Sequence, residues 1–209
     1  MFIHRLPSLV PAIFPSLIWD KKADAKENQV YFTFDDGPSP EITNFVLEEL
    51  DKYQAKATFF CIGKNMRLFP DLALTAHAAG HSLGNHTMNH LNAWKVSEDD
   101  YRINKQACDE VFLDLAIPSV GFRPPYGRVN RAIIKNATNL GPIFMWSLLT
   151  GDYNSTLSHT SITRNCLKNI QAGSIIVFHD SQKAFPHLKV ILPEFLAYCY
   201  DNGFQLSAL

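Results

Sequence analysis

The stretch VYFTFDDGPSP, from Val30 to Pro40, places a predicted β-strand directly before two adjacent carboxylates. It opens with β-branched and aromatic residues, which favour a strand, and continues through Asp-Gly and Gly-Pro pairs, which favour a turn. Two neighbouring like charges are costly unless something cationic holds them. Asp35 and Asp36 therefore mark either a solvated turn or a site prepared for chemistry.

Segments with strand and helix patterns alternate along the rest of the chain. Strands are predicted at 29–34, 57–62, 82–85, 119–122, 142–148, 174–179 and 203–206. Helices are predicted between them, at 41–53, 71–79, 97–115, 131–140, 161–170 and 189–201. Such a succession predicts an α/β fold, in the form of a distorted (β/α) barrel with about seven parallel strands. An open doubly wound sheet has the same periodicity, so the pattern alone does not separate the two.

Composition limits the number of domains and the class of partner. The 209 residues contain no Ser/Gly/Pro-rich linker, so one catalytic domain is predicted at 29–209, with the apolar segment 1–28 packed on it. Lys and Arg number 19 against 20 for Asp and Glu, without a basic cluster, which argues against a nucleic-acid partner. The four cysteines are scattered and predict neither a disulfide framework nor a zinc knuckle.

The apolar N-terminal segment raises the question of a targeting signal. Pro7, Pro11 and Pro15 recur every four residues, which disfavours a continuous signal or membrane helix, and no small-residue cleavage site follows. No later segment approaches the ~20 apolar residues that a transmembrane helix needs. We therefore expect a cytoplasmic protein without a transmembrane segment, with an envelope-associated location as the alternative. The oligomeric state stays open, and a monomer fits.

Polar residues collect just after the predicted strands, where parallel α/β folds place their chemistry. Five strand ends are followed by acids, imidazoles or a guanidinium: Asp35 and Asp36, His86 and His90, Arg123, Asp152, and His179 with Asp180. His86 and His90 are four residues apart, so their imidazoles can reach one point, and Asp36 can supply a third ligand. Three protein ligands leave a position open for water, which is typical of a catalytic site. We predict one divalent ion, with zinc expected and cobalt, nickel or manganese as alternatives.

Five motifs in this order resemble the polysaccharide deacetylases of carbohydrate esterase family 4, which share the nodulation-deacetylase homology domain. The motifs are TFDDGPS at 33–39, HTMNH at 86–90, RPPYG at 123–127, the segment around Asp152, and IVFHDS at 176–181. Each motif alone is weak, but the ordered set spans most of the chain and is specific. The resemblance implies a distorted barrel and hydrolysis of acetyl groups, most of all N-acetyl groups, on an acetylated sugar or polysaccharide.

The resemblance also implies a division of labour around the metal. Three residues match the family's metal ligands: Asp36, His86 and His90. Asp35 matches the general base, and Arg123 is the cation that can pair with it. Thr87 matches a hydroxyl that braces the histidine loop. The two adjacent carboxylates would then have different tasks.

The remaining roles concern the substrate and the leaving group. His179 matches the general acid, and Asp152 matches the carboxylate that orients it. The backbone N–H of Tyr126 matches the oxyanion donor, with Pro124 and Tyr153 beside it at the substrate.

The fourth motif departs from the family pattern, which reads D-x-x-D-W. The matching positions here are Leu149, Asp152 and Tyr153, so the first acid is absent and the pocket for the acetyl methyl group is altered. Two alternatives therefore stay open, a non-catalytic carbohydrate-binding relative and a hydrolase of another acylated amide. A third alternative, an aspartate-nucleophile phosphatase, is suggested by the stretch FTFDDG. The phosphatase fits poorly, because its acids are spaced D-x-D and because Thr156 stands where a further acid is needed.

Overall fold

The computed structural model describes residues 2–5, 7, 9–22, 28–135 and 141–209. The strands are β1 (Gln29–Asp35), β2 (Thr58–Cys61), β3 (Ser82–Asn85), β4 (Ser119–Phe122), β5 (Leu148–Leu149), β6 (Ile175–His179) and β7 (Gln205–Leu206). The helices are α1 (Leu9–Ile13), α2 (Pro40–Asp51), α3 (Gly63–Leu68), α4 (Pro70–Ala78), α5 (Glu98–Asp114), α6 (Arg131–Lys135), α7 (His159–Leu167) and α8 (Phe185–Asp201).

Within the described part of the chain, all seven strands pair in parallel, in the order β4-β3-β2-β1-β6-β5, with β7 joined to the start of β1. The prediction of a parallel α/β fold with about seven strands is confirmed. The continuous ladder of the described strands does not close into a ring. Central β1 lies between β2 and β6, and Asp35 lies in register with His179 on β6. The ends of β1 and β6 thus bring an acid and an imidazole to one point.

The predicted fifth strand, 142–148, is wrong in extent. Only Leu148 and Leu149 form β5, whereas the preceding residues make isolated bridges. Ile143 bridges Phe122 at the end of β4, and the Ile18 backbone exchanges hydrogen bonds with residues 143 and 145. Ile18 takes the hydrogen bonds of the Ile143 carbonyl and the Met145 N–H, and Phe122 takes those of the Pro142 carbonyl and the Phe144 N–H. These backbone groups are therefore not available for a regular ladder with β6.

Helix boundaries differ from the predicted ones where periodicity carries little information. The short helix α3 was not predicted, since its six residues bury only Gly63 and Met66 and show no repeating pattern. Helix α8 begins at Phe185, four residues earlier than predicted, with a proline in its first turn. The predicted helix 131–140 is helical over Arg131–Lys135, and 136–140 lie outside the described residues.

An aromatic core fixes the two central strands. Phe34 stacks on Phe59 and Phe178 with ring centroids 5.1 and 5.4 Å apart, and Phe195 of α8 packs edge-on against Phe178 at 5.1 Å. All four rings are buried. Because burial of one such ring contributes about 1.5–3 kcal/mol, this cluster holds β1 and β6 in a fixed relation.

Parts of the N-terminal segment contact the outer edge of the sheet. Arg5 forms an antiparallel bridge with Leu148, and the Leu149 N–H donates to the His4 carbonyl at 2.8 Å. Leu17 and Trp19 are buried in a second apolar cluster. Among the described residues, no helix combines the length and apolar character that a membrane span requires.

Candidate metal centre and catalytic cleft

The carboxyl ends of the strands open into a cleft of about 650 Å³. Seven of the predicted site residues line it: Asp35, Asp36, His86, His90, Tyr126, Tyr153 and His179. Arg123 and Asp152 lie behind this surface, fully buried, and each bonds to one of the lining residues. Pro124 is also buried and is not part of the cleft lining, so the structure does not place its side chain at the substrate.

Asp35 is held by a buried arginine. Arg123 donates from Nη1 to Asp35 Oδ1 at 2.8 Å and to Thr33 Oγ1 at 2.7 Å, and its guanidinium lies 4.1 Å from the Phe60 ring centroid. Burial alone would raise the pKa of Asp35, but the Arg123 guanidinium, with smaller contributions from His86 and other groups, brings it below the usual value. Asp35 is therefore an ionised carboxylate with its charge compensated from behind.

Asp36 faces the two histidines instead. Its Oδ1 lies 3.2 Å from His90 Nε2 and 3.8 Å from His86 Nε2. This oxygen is buried and has no hydrogen-bond partner among the described residues. One carboxylate oxygen and two imidazole nitrogens, all within 4.8 Å of one another, form a donor set that fits a divalent ion. An unpaired buried carboxylate oxygen is costly, and a bound cation removes that cost.

Outer hydrogen bonds orient the two imidazoles. His86 Nδ1 lies 2.7 Å from the Arg123 carbonyl, which can only accept, so Nδ1 carries the hydrogen and Nε2 presents a lone pair. His90 Nδ1 lies 3.1 Å from the Tyr126 hydroxyl. Burial, and then the neighbouring His86, lower the pKa of His90 to about 4, so this imidazole is neutral and available as a ligand. The sequence did not reveal that the Tyr126 side chain also contacts His90, one of the candidate metal ligands.

The backbone of the histidine loop is held without the predicted hydroxyl contact. The Thr87 hydroxyl is buried with no partner among the described residues. The Thr87 N–H instead donates to Asn85 Oδ1 at 2.7 Å, and its carbonyl accepts from Gly63 N–H at 3.0 Å. Thr87 and His90 both have positive φ angles, 65° and 55°, which are uncommon for residues with a side chain. The loop is therefore braced through its backbone.

The Asp152 carboxylate contacts His179 through both of its oxygens. Oδ2 accepts a hydrogen bond from the His179 backbone N–H at 2.8 Å, and Oδ1 lies 2.8 Å from the ring Nδ1. Burial alone would lower the pKa of His179, but Asp152 reverses this and raises it to about 9. His179 is therefore an imidazolium near neutral pH, although the acid expected at Leu149 is absent.

A second buried carboxylate, Asp180, lies behind the site. Asp180 is buried and accepts from the Gly37 N–H at 2.9 Å and from the Thr43 hydroxyl at 2.5 Å. Burial raises the pKa of Asp180 to about 7, although the hydrogen bond from Thr43 acts to lower it. A Cβ on Gly37 would overlap this carboxylate, so the glycine after Asp36 is required by close packing.

Replacing Gly37 with alanine should therefore lower the free energy of unfolding by about 1–3 kcal/mol, the usual cost of overpacking. Urea denaturation of both proteins measures the difference. The same substitution in an Asp180→Ala background should cost less, because the missing carboxylate leaves room for the methyl group. A cost that is unchanged in that background would contradict the assigned contact.

The walls of the cleft combine apolar and polar groups. Leu149, Val177 and Trp146 form the apolar part of the lining. The Tyr153 ring lies edge-on to His179, with centroids 5.0 Å apart. Tyr126 lies in a tight turn whose hydrogen bonds are donated by the two residues after it, so the Tyr126 N–H takes part in neither.

Comparison with known proteins places this geometry in a family. The profile described as polysaccharide deacetylase matches residues 22–143, more than half of the chain. The chain belongs to the polysaccharide deacetylase family. A peptidoglycan-N-acetylglucosamine deacetylase of Bacillus cereus is 39% identical over 155 residues, which cover 73% of this chain and 56% of that relative. A chitooligosaccharide deacetylase of Azorhizobium caulinodans is 35% identical over 159 residues, with 74% of each protein covered.

A solved structure of the same family agrees with the fold. The crystal structure of the Bc1960 peptidoglycan N-acetylglucosamine deacetylase, in complex with 4-naphthalen-1-yl-N-oxidanyl-benzamide, matches with a TM-score of 0.83 and 32% sequence identity. The match covers 93% of this chain and 91% of that one. The family resemblance carried by the five motifs is confirmed.

Proposed function

We propose that this deacetylase-family chain is a metal-dependent hydrolase that removes acetyl groups, most of all N-acetyl groups, from an acetylated saccharide. The observation that carries the proposal is the different environment of two adjacent carboxylates. Asp35 is neutralised by Arg123, whereas Asp36 turns an unpaired oxygen towards two imidazole nitrogens. A solvated turn would give both side chains the same surroundings.

The metal site would be formed by Asp36, His86 and His90. We propose zinc, because two imidazoles and one carboxylate with an open position are typical of catalytic zinc; cobalt, nickel and manganese accept the same donors. When bound, such an ion supplies Lewis acidity that polarises an amide carbonyl and makes water easier to deprotonate.

The chain itself supplies the proton transfers and the oxyanion contact. Asp35 lies in the cleft as a carboxylate and takes the proton of the attacking water. The Tyr126 N–H donates to the oxygen that gains charge as the carbonyl carbon becomes tetrahedral. His179, kept protonated by Asp152, gives its proton to the departing amine. The products are acetate and a free amino sugar.

The substrate proposal follows from the named relatives and from the cleft. Those relatives act on N-acetylglucosamine of peptidoglycan and on chitooligosaccharides, so an N-acetylglucosamine unit is the proposed reacting sugar. The apolar side chains of Leu149 and Val177 near His179 suit the acetyl methyl group. A non-catalytic relative is disfavoured, because the proposed base, acid and metal ligands all converge on one cleft.

Metal content tests the site. Wild-type protein should contain about one divalent ion per chain by elemental analysis, and a His86→Ala/His90→Ala double variant should contain almost none and release no acetate from N-acetylglucosamine oligomers. His77→Ala is the matched control, because it removes an imidazole at the end of α4, outside the cleft. Full metal occupancy in the double variant would show that the ion binds elsewhere.

A further inference from the structure

Two cationic side chains in the cleft lining have no part in the hydrolysis. Arg128 lies in the turn after β4, and Lys183 lies in the segment after β6. Within the part of the chain that the structure describes, neither forms an ion pair or a hydrogen bond through its charged group. The acids of the cleft are already engaged, since Asp35 is bonded to Arg123 and Asp36 faces the histidines.

Both charges are instead placed over aromatic rings. The Arg128 guanidinium lies 3.8 Å from the Trp94 ring centroid, and the Trp94 indole N–H is fixed to the Val129 carbonyl at 2.8 Å. The Lys183 ammonium lies 5.5 Å from the Tyr153 ring centroid. Stacking on a ring restrains a cation without using its hydrogen-bond donors, so these donors stay available to a ligand.

Elsewhere in the described part of the chain, some cations form ion pairs and others, such as Lys64 and Lys95, form none, so the position in the cleft is what distinguishes Arg128 and Lys183. Several lysines and arginines outside the cleft pair with a neighbouring carboxylate: Lys22 with Asp20, Lys52 with Glu49, Arg102 with Asp99, and Lys105 with Asp109. The lining also contains Asp35, which Arg123 neutralises, and Asp36, which faces the histidines, so Arg128 and Lys183 are positive charges on this concave surface without a carboxylate partner. Positive charges in a cleft attract anions.

The two cations lie on the two functional sides of the site. Arg128 follows Tyr126, whose hydroxyl contacts His90 on the metal side. Lys183 stands over Tyr153, whose ring contacts His179 on the acid side. Because both residues line the same cleft as the metal-ligand candidates, a saccharide that extends from the site in either direction can reach one of the two charges.

We propose that Arg128 and Lys183 form subsites for a carboxylate on sugars next to the one that is deacetylated, so that the substrate is an anionic acetylated saccharide rather than a neutral one. This inference rests on the proposed deacetylase function. A free guanidinium fork is suited to a carboxylate, which it can bind through two parallel hydrogen bonds.

The test compares two N-acetylglucosamine oligosaccharides of equal length, one neutral and one with carboxylates on alternate sugars. Wild-type protein should show the higher kcat/KM for the anionic one at low ionic strength. Arg128→Gln and Lys183→Gln should each lower that kcat/KM by about tenfold through KM, because neither group contacts the reacting bond. Activity on the neutral compound should stay within about twofold. Arg128→Lys, which keeps the charge but not the fork, should restore only part of the loss.

Lys189→Gln is the control, because it removes a lysine charge from an exposed position outside the cleft and should leave both substrates unaffected. Equal losses on both substrates, or no loss on the anionic one, would overturn the inference. If wild-type protein releases acetate from neither compound, the proposed function fails, and calorimetric titration with the same pair then tests the subsites by binding alone. Binding of the anionic compound that does not depend on Arg128 and Lys183 would overturn them.

Discussion

Replacing Asp35 with asparagine should lower turnover by about 10² to 10⁴-fold, the usual contribution of a positioned general base, while the divalent ion stays bound. The amide of asparagine cannot accept the proton of the attacking water. The three proposed metal ligands are untouched by this change, because Asp35 is bonded to Arg123 and not to the histidines. Acetate release at saturating substrate and elemental analysis of the same sample measure the two effects.

The buried Arg123 calls for a control. Asp35→Asn removes its counter-charge, and breaking a buried ion pair costs about 3–5 kcal/mol, so the free energy of unfolding should fall as well. Turnover is therefore compared at a temperature below the unfolding transition of both proteins. Asp36→Ala is the matched variant, because it removes the neighbouring carboxylate and keeps the Asp35–Arg123 pair; it should lose both metal and turnover. Equal metal loss in the two variants would mean that their roles are wrongly divided.

The positions of the reacting groups were predictable because they depend on strand ends. Parallel strands bring their last residues, and the residues that follow, to one edge of the sheet, and the sequence pattern indicates where each strand ends. Asp35, His86 and His179 were placed in this way, and the structure brings them to one cleft. Asp35 and His179 even share a register on neighbouring strands.

Contacts between different loops were not predictable in the same way. The Tyr126 hydroxyl on His90, the Arg128 guanidinium on Trp94 and the buried Asp180 depend on how loops pack in three dimensions. Nothing in a spacing pattern indicates such contacts.

The misplaced fifth strand has a related cause. Residues 142–148 have the composition of a strand, but Ile18 and Phe122 share the backbone hydrogen bonds of residues 142–145. A partner more than a hundred positions away in the sequence overrides the local preference.

Replacing Asp152 with asparagine should move the alkaline limb of the pH–rate profile to lower pH. His179 donates a proton to the leaving amine only in its charged form, so wild-type turnover should fall as the pH rises through about 9, the pKa that Asp152 sets for it. Without the carboxylate charge, the lowering effect of burial on the pKa of His179 is opposed only by the smaller effects of Asp36 and Asp35, so the limb should lie below the wild-type one. The profile is measured at about six pH values between pH 6 and pH 10, and the metal content of the protein is checked at each of them.

His179→Ala provides the limiting case, because it removes the proposed acid altogether. Below the alkaline limb of the wild-type profile it should lose about 10² to 10⁴-fold in turnover, with unchanged metal content, since His179 is not among the proposed metal ligands. The two variants together separate the orientation of His179 from its proton donation. Asparagine at position 152 keeps an oxygen that can accept from one of the two His179 N–H groups, so activity should recover as the pH falls. Alanine at position 179 has no proton to donate, so no recovery is expected. A limb that stays near pH 9 in Asp152→Asn, with turnover retained in His179→Ala, would assign the leaving-group proton to another residue. In that case the absence of an acid at Leu149 would mark a rebuilt site, and the Asp152–His179 pair would serve only to hold β6 against the loop that follows β5.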